Sequence, residues 1–145
     1  MEWNVGMDTI GIALAQELVM AALEKATADY SRPICVSVCD AYGFLLGFAR
    51  GDDAPVRSIA ISQGKAYSAA RIGVNTDVWL GRLGDANFQA SYFCDPQLTA
   101  LPGGAAIKNA NGKVIGGVGI SGLAPPEDQA IANAVAELAT KNSTP

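Results

Sequence analysis

Two pairs of short apolar segments, each joined by a tight turn, constrain this chain more than any other feature. Ile34 to Cys39 is β-branched and apolar, Asp40-Ala41-Tyr42-Gly43 is a turn, and Phe44 to Ala49 follows as the antiparallel partner. Pro102-Gly103-Gly104 leads into a second hairpin. It has a strand near Ala105–Lys108, a turn at Asn111-Gly112 and a longer strand from Lys113 to Ser121. Gly116, Gly117 and Gly119 in that last strand allow another backbone to approach closely.

Helical patterns flank both hairpins. From Thr9 to about Tyr30 the apolar residues Ile10, Leu14, Leu18, Ala21 and Ala22 recur at helical spacing, with Asp8 or Thr9 as the cap. Val19, Met20 and Leu23 widen the stripe, so this helix is covered on more than one side, by the sheet and another helix or by another subunit. A helix from about Val56 to Ile72 carries a face of mostly small residues: Ile59, Ser62, Ala66, Ala69 and Ala70. Asn75-Thr76 caps a short helix to about Leu83, anchored by Trp79. Residues 84–101 are irregular, with room for a fifth strand. Pro125-Pro126-Glu127-Asp128 opens the last helix, whose stripe includes Ile131, Val135 and Leu138. Tight strand connections with helices before, between and after them read as α+β. A chain of 145 residues fits one domain, 1–145, with residues 1–8 as a short lead-in.

Composition excludes several functions. The net charge of −4 leaves no electrostatic footprint for nucleic acid or anionic lipid. No run of about 18 uncharged apolar residues appears that would span a membrane. There is no histidine, which removes Ser-His-Asp and Cys-His catalysis and His-ligated zinc or haem iron. Proton transfer then falls to carboxylates, Tyr, Lys, Cys, the N-terminus or water. Cys35, Cys39 and Cys94 have no metal spacing. Their odd number, without a secretory leader, predicts reduced thiols in a cytoplasmic protein. Cys35 and Cys39 point to one face of their strand and read as small buried hydrophobes.

Charge reverses locally in the middle of the chain. From Ala54 through Thr76 there are three cations, Arg57, Lys65 and Arg71, and no carboxylate. Arg57, Gly64, Ser68 and Arg71 share one helical face, with Lys65 at its edge, and Arg50 ends the preceding strand. This is either a small-dianion site, since Arg binds carboxylates in a planar bidentate mode, or a plain solvated face. Turns at Arg50–Ala54, Leu101–Gly104 and Ser121–Leu123 could line the same hollow. Asp52 and Asp53 are an acid–base pair or a charged turn. Tyr42, Tyr67 and Tyr92 are core-edge residues or proton donors. The glycines match neither a phosphate-binding nor a dinucleotide-binding pattern.

Several of these segments together resemble the GlcG/HbpS/PduO C-terminal-like family over nearly the whole chain from about residue 9. The resemblance rests on Asp40-Ala41-Tyr42-Gly43 with the strand to Arg50, and on Arg50-Gly51-Asp52-Asp53-Ala54-Pro55. It also rests on Ser58 with Lys65-Ala66-Tyr67-Ser68-Ala69, on Pro102-Gly103-Gly104, and on Val114 through Gly122 followed by Asp128. It implies a profilin-like α+β domain, an antiparallel sheet of about five strands flanked by helices, and a homo-oligomer. Family members bind haem or corrinoid-related ligands, accompany glycolate or diol metabolism, or act in aromatic-ring degradation. One branch looks like a tautomerase of 2-hydroxymuconate-type dienols. The chain departs from the family in two places. It lacks the His that haem-binding members commonly supply to iron, leaving Tyr, Met or Cys. It also reads Asp52-Asp53-Ala54 where the family often has Asp-Gly-Ala.

Two functional expectations follow. The first is an isomerase converting a 2-hydroxymuconate-type dienol dicarboxylate to its keto tautomer in aromatic degradation, without metal or cofactor. Met1-Glu2 and Met7-Asp8 give no N-terminal Pro, so another proton carrier is needed. Arg50, Arg57 and Arg71 would clamp the carboxylates, and Lys65, Asp52 or Tyr67 would exchange protons. The Pro102-Gly103-Gly104 turn would hold an enolate oxygen on its backbone N–H groups. The second is a non-catalytic module binding haem, a corrinoid or a small anion, with a purely structural or regulatory oligomer subunit as the remaining alternative.

Overall fold

Both hairpins form, and they share one sheet. The computed structural model describes residues 8–142, so residues 1–7 of the lead-in, including Met1, Glu2 and Met7, lie outside the described residues. β1 (Cys35–Asp40) pairs antiparallel with β2 (Leu45–Arg50), and β3 (Gly104–Lys108) with β4 (Val114–Ser121). β1 also pairs antiparallel with β4, giving the spatial order β2-β1-β4-β3. The described residues therefore hold four strands, and the expectation of about five is corrected. Residues 84–101 contain the end of a helix, a 3-10 turn at Ala90–Phe93 and irregular backbone. Left-handed backbone at Asn87 and Cys94, with φ of 56° and 58°, interrupts any extended run there. Pro96 removes a ladder donor.

Strand alternation divides the sheet into two unlike faces. Val36, Val38, Val118 and Ile120 point to one face and are fully buried. There α1 (Ile12–Tyr30) and α4 (Pro125–Asn142) pack on them with Leu18, Ala22, Ile131 and Val135. Cys35, Ser37 and Cys39 point to the other face, opposite Ser121, Gly119 and Gly117 of β4. That face is covered by α2 (Ser58–Ile72), with α3 (Thr76–Ala86) beside it against β3. The small-residue face of α2 meets the sheet, because Gly117 and Gly119 leave space that a Cβ would take from the backbone of Ala66 and Ser62. Two serine pairs close the polar part of this contact: Ser37 Oγ to Ser62 Oγ, and Ser121 Oγ to Ser58 Oγ, each at 2.9 Å.

The expected cap of α1 differs. Gly11 takes the N-cap position without a side-chain hydrogen bond. Thr9 instead accepts the Ala41 N–H on its Oγ1 at 2.9 Å, tying the first helix to the β1–β2 turn.

Candidate functional site

The cations of the central segment do not converge. Lys65 lies on the sheet-facing side of α2, 1% exposed, and its Nζ donates to the Ile120 carbonyl at 2.8 Å and to Asp128 Oδ2 at 3.2 Å. Burial pushes the Lys65 amine below its usual range, although Asp128 pulls it up; burial likewise pushes the Asp128 carboxyl up against the pull of Lys65. Lys65 is thus a structural group and not the edge of a cationic surface. Ser68 is buried too, and its Oγ accepts the Thr99 N–H at 2.8 Å.

Arg57 is the N-cap of α2 and Arg71 lies in its last turn, so 14 rises of about 1.5 Å set their backbones roughly 21 Å apart. Arg50, at the far end of β2, donates its Nε to the Ala54 carbonyl at 3.0 Å. Arg71 donates its Nε to the Tyr42 carbonyl at 2.9 Å, in the turn at the opposite end of β2. The carboxylate clamp expected of Arg50, Arg57 and Arg71 acting together is therefore corrected: Arg71 lies at the opposite end of α2 and β2 from Arg50 and Arg57. The expected enolate site is corrected as well. Past Pro102, the Gly103 N–H is buried and donates to Gln129 Oε1 at 2.6 Å, and the Gly104 N–H donates to Thr76 Oγ1 at 2.9 Å. Asp52 and Asp53 are exposed in their turn. Of the three expected proton carriers, Tyr67 alone lines the larger cavity.

That cavity is a groove of about 650 Å³ over the outer face of α2. Ala60, Gly64 and Tyr67 of α2 form one wall, and Phe44 and Leu45 of β2 another. Residues 96–101 cross it as a strap, and Cys39 lies in its lining. Its lining includes no Asp, Glu, Lys or Arg. The strap is held at two points: the Thr99 N–H within it donates to Ser68 Oγ, and just before it Asp95 Oδ2 accepts from Tyr67 Oη at 2.5 Å. The Gly43 backbone has φ of +92°, and a Cβ there would sit 2.8 Å from the Tyr67 ring, so only glycine lets the turn close on that ring. The Arg71 guanidinium lies 4.9 Å from the Tyr67 ring centroid. The hydrogen bond to Asp95 holds the Tyr67 phenol above its usual range, and the same bond holds the Asp95 carboxyl below its own. Burial pushes the Cys39 thiol up to about 12, and its Sγ donates to the Ala66 carbonyl at 3.3 Å.

The reading of the sequence missed Asp95, Cys39 and the strap as site components. The Asp95-Pro96 dipeptide was the available signal: an Asx residue before Pro favours a turn. A second hollow, about 440 Å³, lies between the end of α1 and Gly51-Asp52. Among the described residues no group of three His, Cys, Asp or Glu could hold a metal ion, and no helix is long and apolar enough to cross a membrane.

A family model described as haem degrading protein HbpS-like matches residues 10–137. The "Uncharacterized 15.0 kDa protein in dhaT-dhaS intergenic region" of Citrobacter freundii is 34% identical over 125 residues, covering 86% of this chain and 87% of that protein. A double mutant of Streptomyces reticuli HbpS superposes with a TM-score of 0.80 at 28% identity, covering 90% of this chain and 86% of that one. A PduOC:heme complex superposes with a TM-score of 0.78 at 26% identity, covering 89% of this chain and 94% of that one. These similarities overturn the tautomerase reading and its dicarboxylate substrate. They lie with haem-associated proteins, and the dispersed arginines offer no dianion clamp.

Proposed function

Because the chain belongs to the HbpS-like family, we propose that it is a haem-binding module and that the groove over α2 is its haem site. The observation that carries this reading is the groove's chemistry. A porphyrin is a flat apolar ring with two carboxylate tails. The groove is open, walled mainly by apolar side chains and free of charged ones, and its volume lies within the range of small-molecule sites. Ala60, Gly64, Leu45 and Leu98 would hold the ring. Haem supplies iron-centred ligand and redox chemistry when bound; the chain supplies the walls and the exclusion of water. Exposed Ile12 and Met20 on α1, with Phe88, Tyr92 and Phe93 beyond α3, support self-association.

Ala60→Trp tests the site. Ala60 is exposed on α2 and lines the groove, so an indole there fills the hollow without disturbing the sheet-facing side of the helix. Titration with ferric haem, followed by absorbance, is expected to saturate at one haem per chain for the wild type. The variant should bind at least about tenfold more weakly, equivalent to 1.4 kcal/mol or more. Equal binding by both proteins contradicts the placement. A flat wild-type spectrum at micromolar haem contradicts the function.

A further inference from the structure

A haem in this groove needs an iron ligand, and the chain has no histidine to provide one. Among the described residues, the Met, Cys and Tyr side chains that line the groove are Cys39 and Tyr67. Met20 is exposed on α1, on the far side of the sheet from the groove. Cys94 is exposed after the 3-10 turn and does not line the groove. Cys39 does line it, but its thiol is spent on the Ala66 carbonyl. Burial also keeps it protonated at neutral pH, whereas iron takes a thiolate. Tyr42 and Tyr92 are exposed and outside the lining. Tyr67 remains. It lines the groove, its ring is set by Gly43 on one side and Arg71 on another, and its hydroxyl already points its proton at a carboxylate 2.5 Å away.

We infer that Tyr67 is the iron ligand of haem in this groove, with Asp95 accepting the phenolic proton and Arg71 facing the resulting negative charge. The inference rests on the haem reading above. The chemistry is a ligand exchange without redox change. On ligation the Tyr67 O–H bond would break, its proton would pass to Asp95 Oδ2 and on to solvent, and the oxygen would offer its electron pair to the ferric iron in place of a water. Phenolate ligation of ferric haem is an established mode, so no new iron chemistry is required. The neighbours suit the two protonation states. Asp95 holds the neutral phenol until iron arrives, and the guanidinium over the ring favours the anion afterwards.

The test compares ferric-haem complexes of the wild type, Tyr67→Phe and Tyr92→Phe by absorbance and resonance Raman spectroscopy. The wild type and Tyr92→Phe, changed at an exposed tyrosine outside the lining, are expected to show a phenolate-to-iron charge-transfer band and enhanced phenolate ring modes. Tyr67→Phe should take up haem about tenfold more weakly and lack both features. Ring-deuterated tyrosine in the wild type should shift the enhanced modes, which keeps the assignment testable even if a variant folds poorly. If the wild type takes up haem without phenolate modes, or Tyr67→Phe retains them, the ligand assignment is overturned while the haem reading stands. If the wild type takes up no haem, both are overturned.

Discussion

Lys65→Ala is expected to lower the unfolding free energy by about 3–5 kcal/mol, the usual cost of breaking one side of a buried ion pair. Lys65 and Asp128 are 1% and 2% exposed, and they join α2 to the start of α4 around the end of β4. Burial shifts each group toward its neutral form more strongly than the partner opposes it, so the pair itself is a weak stabiliser. Removing one partner is different. It leaves Asp128 buried with only the Leu123 N–H at 3.1 Å, and it opens a cavity beside Gly103. The pH dependence has a definite sign. A folded-state carboxyl pKa above the ordinary value contributes stability that is complete below the ordinary carboxylate pKa and is lost as pH rises through the folded value. The deficit of Lys65→Ala should therefore widen from mildly acid to neutral pH. Urea denaturation at both pH values checks this. A loss under about 1 kcal/mol, or a deficit that shrinks toward neutrality, contradicts the structural role.

Gly119→Ala is expected to cost about 3 kcal/mol, at the upper end for overpacking, because its neighbours are backbone and cannot rotate away. A Cβ at Gly119 would collide with the Ser62 carbonyl and the Ala66 N–H on the inner turn of α2. To accept it, α2 must lift from β4, and the groove on its outer face would move with it. Haem affinity should then fall together with stability, although Gly119 does not line the groove. Gly81→Ala in α3 is the control. A Cβ there meets nothing within 4 Å, so the same chemical change should stabilise by about 0.5–1 kcal/mol through helix propensity. Thermal unfolding of the two variants separates the effects. Similar shifts in both would contradict the close approach of α2 to the sheet.

Local patterns were sufficient for the elements. The hairpins were legible because Asn111-Gly112 and the Asp40–Gly43 turn sit between apolar runs, and turn chemistry acts within four residues. The small face of α2 and the glycines of β4 were each legible as a place of close approach, but that they meet each other emerged only in the fold. Residues 84–101 misled because aromatic residues suit strands, yet here Phe88 and Tyr92 pack on each other across a 3-10 turn, with ring centroids 5.9 Å apart. The faces of α2 were harder. Lys65 is three residues from both Ser62 and Ser68, so helical counting alone leaves it on the boundary. The carboxylate that draws it inward is Asp128, 63 positions away. The groove was illegible for the same reason: its walls come from 39–45, 60–67 and 96–101, and nothing local marks Asp95 as the partner of Tyr67.

Paramagnetic broadening locates a ferric haem directly. Amide resonances of the 15N-labelled protein should broaden on haem addition at residues 43–45, 60–67 and 96–101, around the groove over α2, and stay sharp at 23–34 and 51–52, around the second hollow. Broadening centred on that second hollow, or spread evenly over the surface, would contradict the central claim that this chain holds haem above α2.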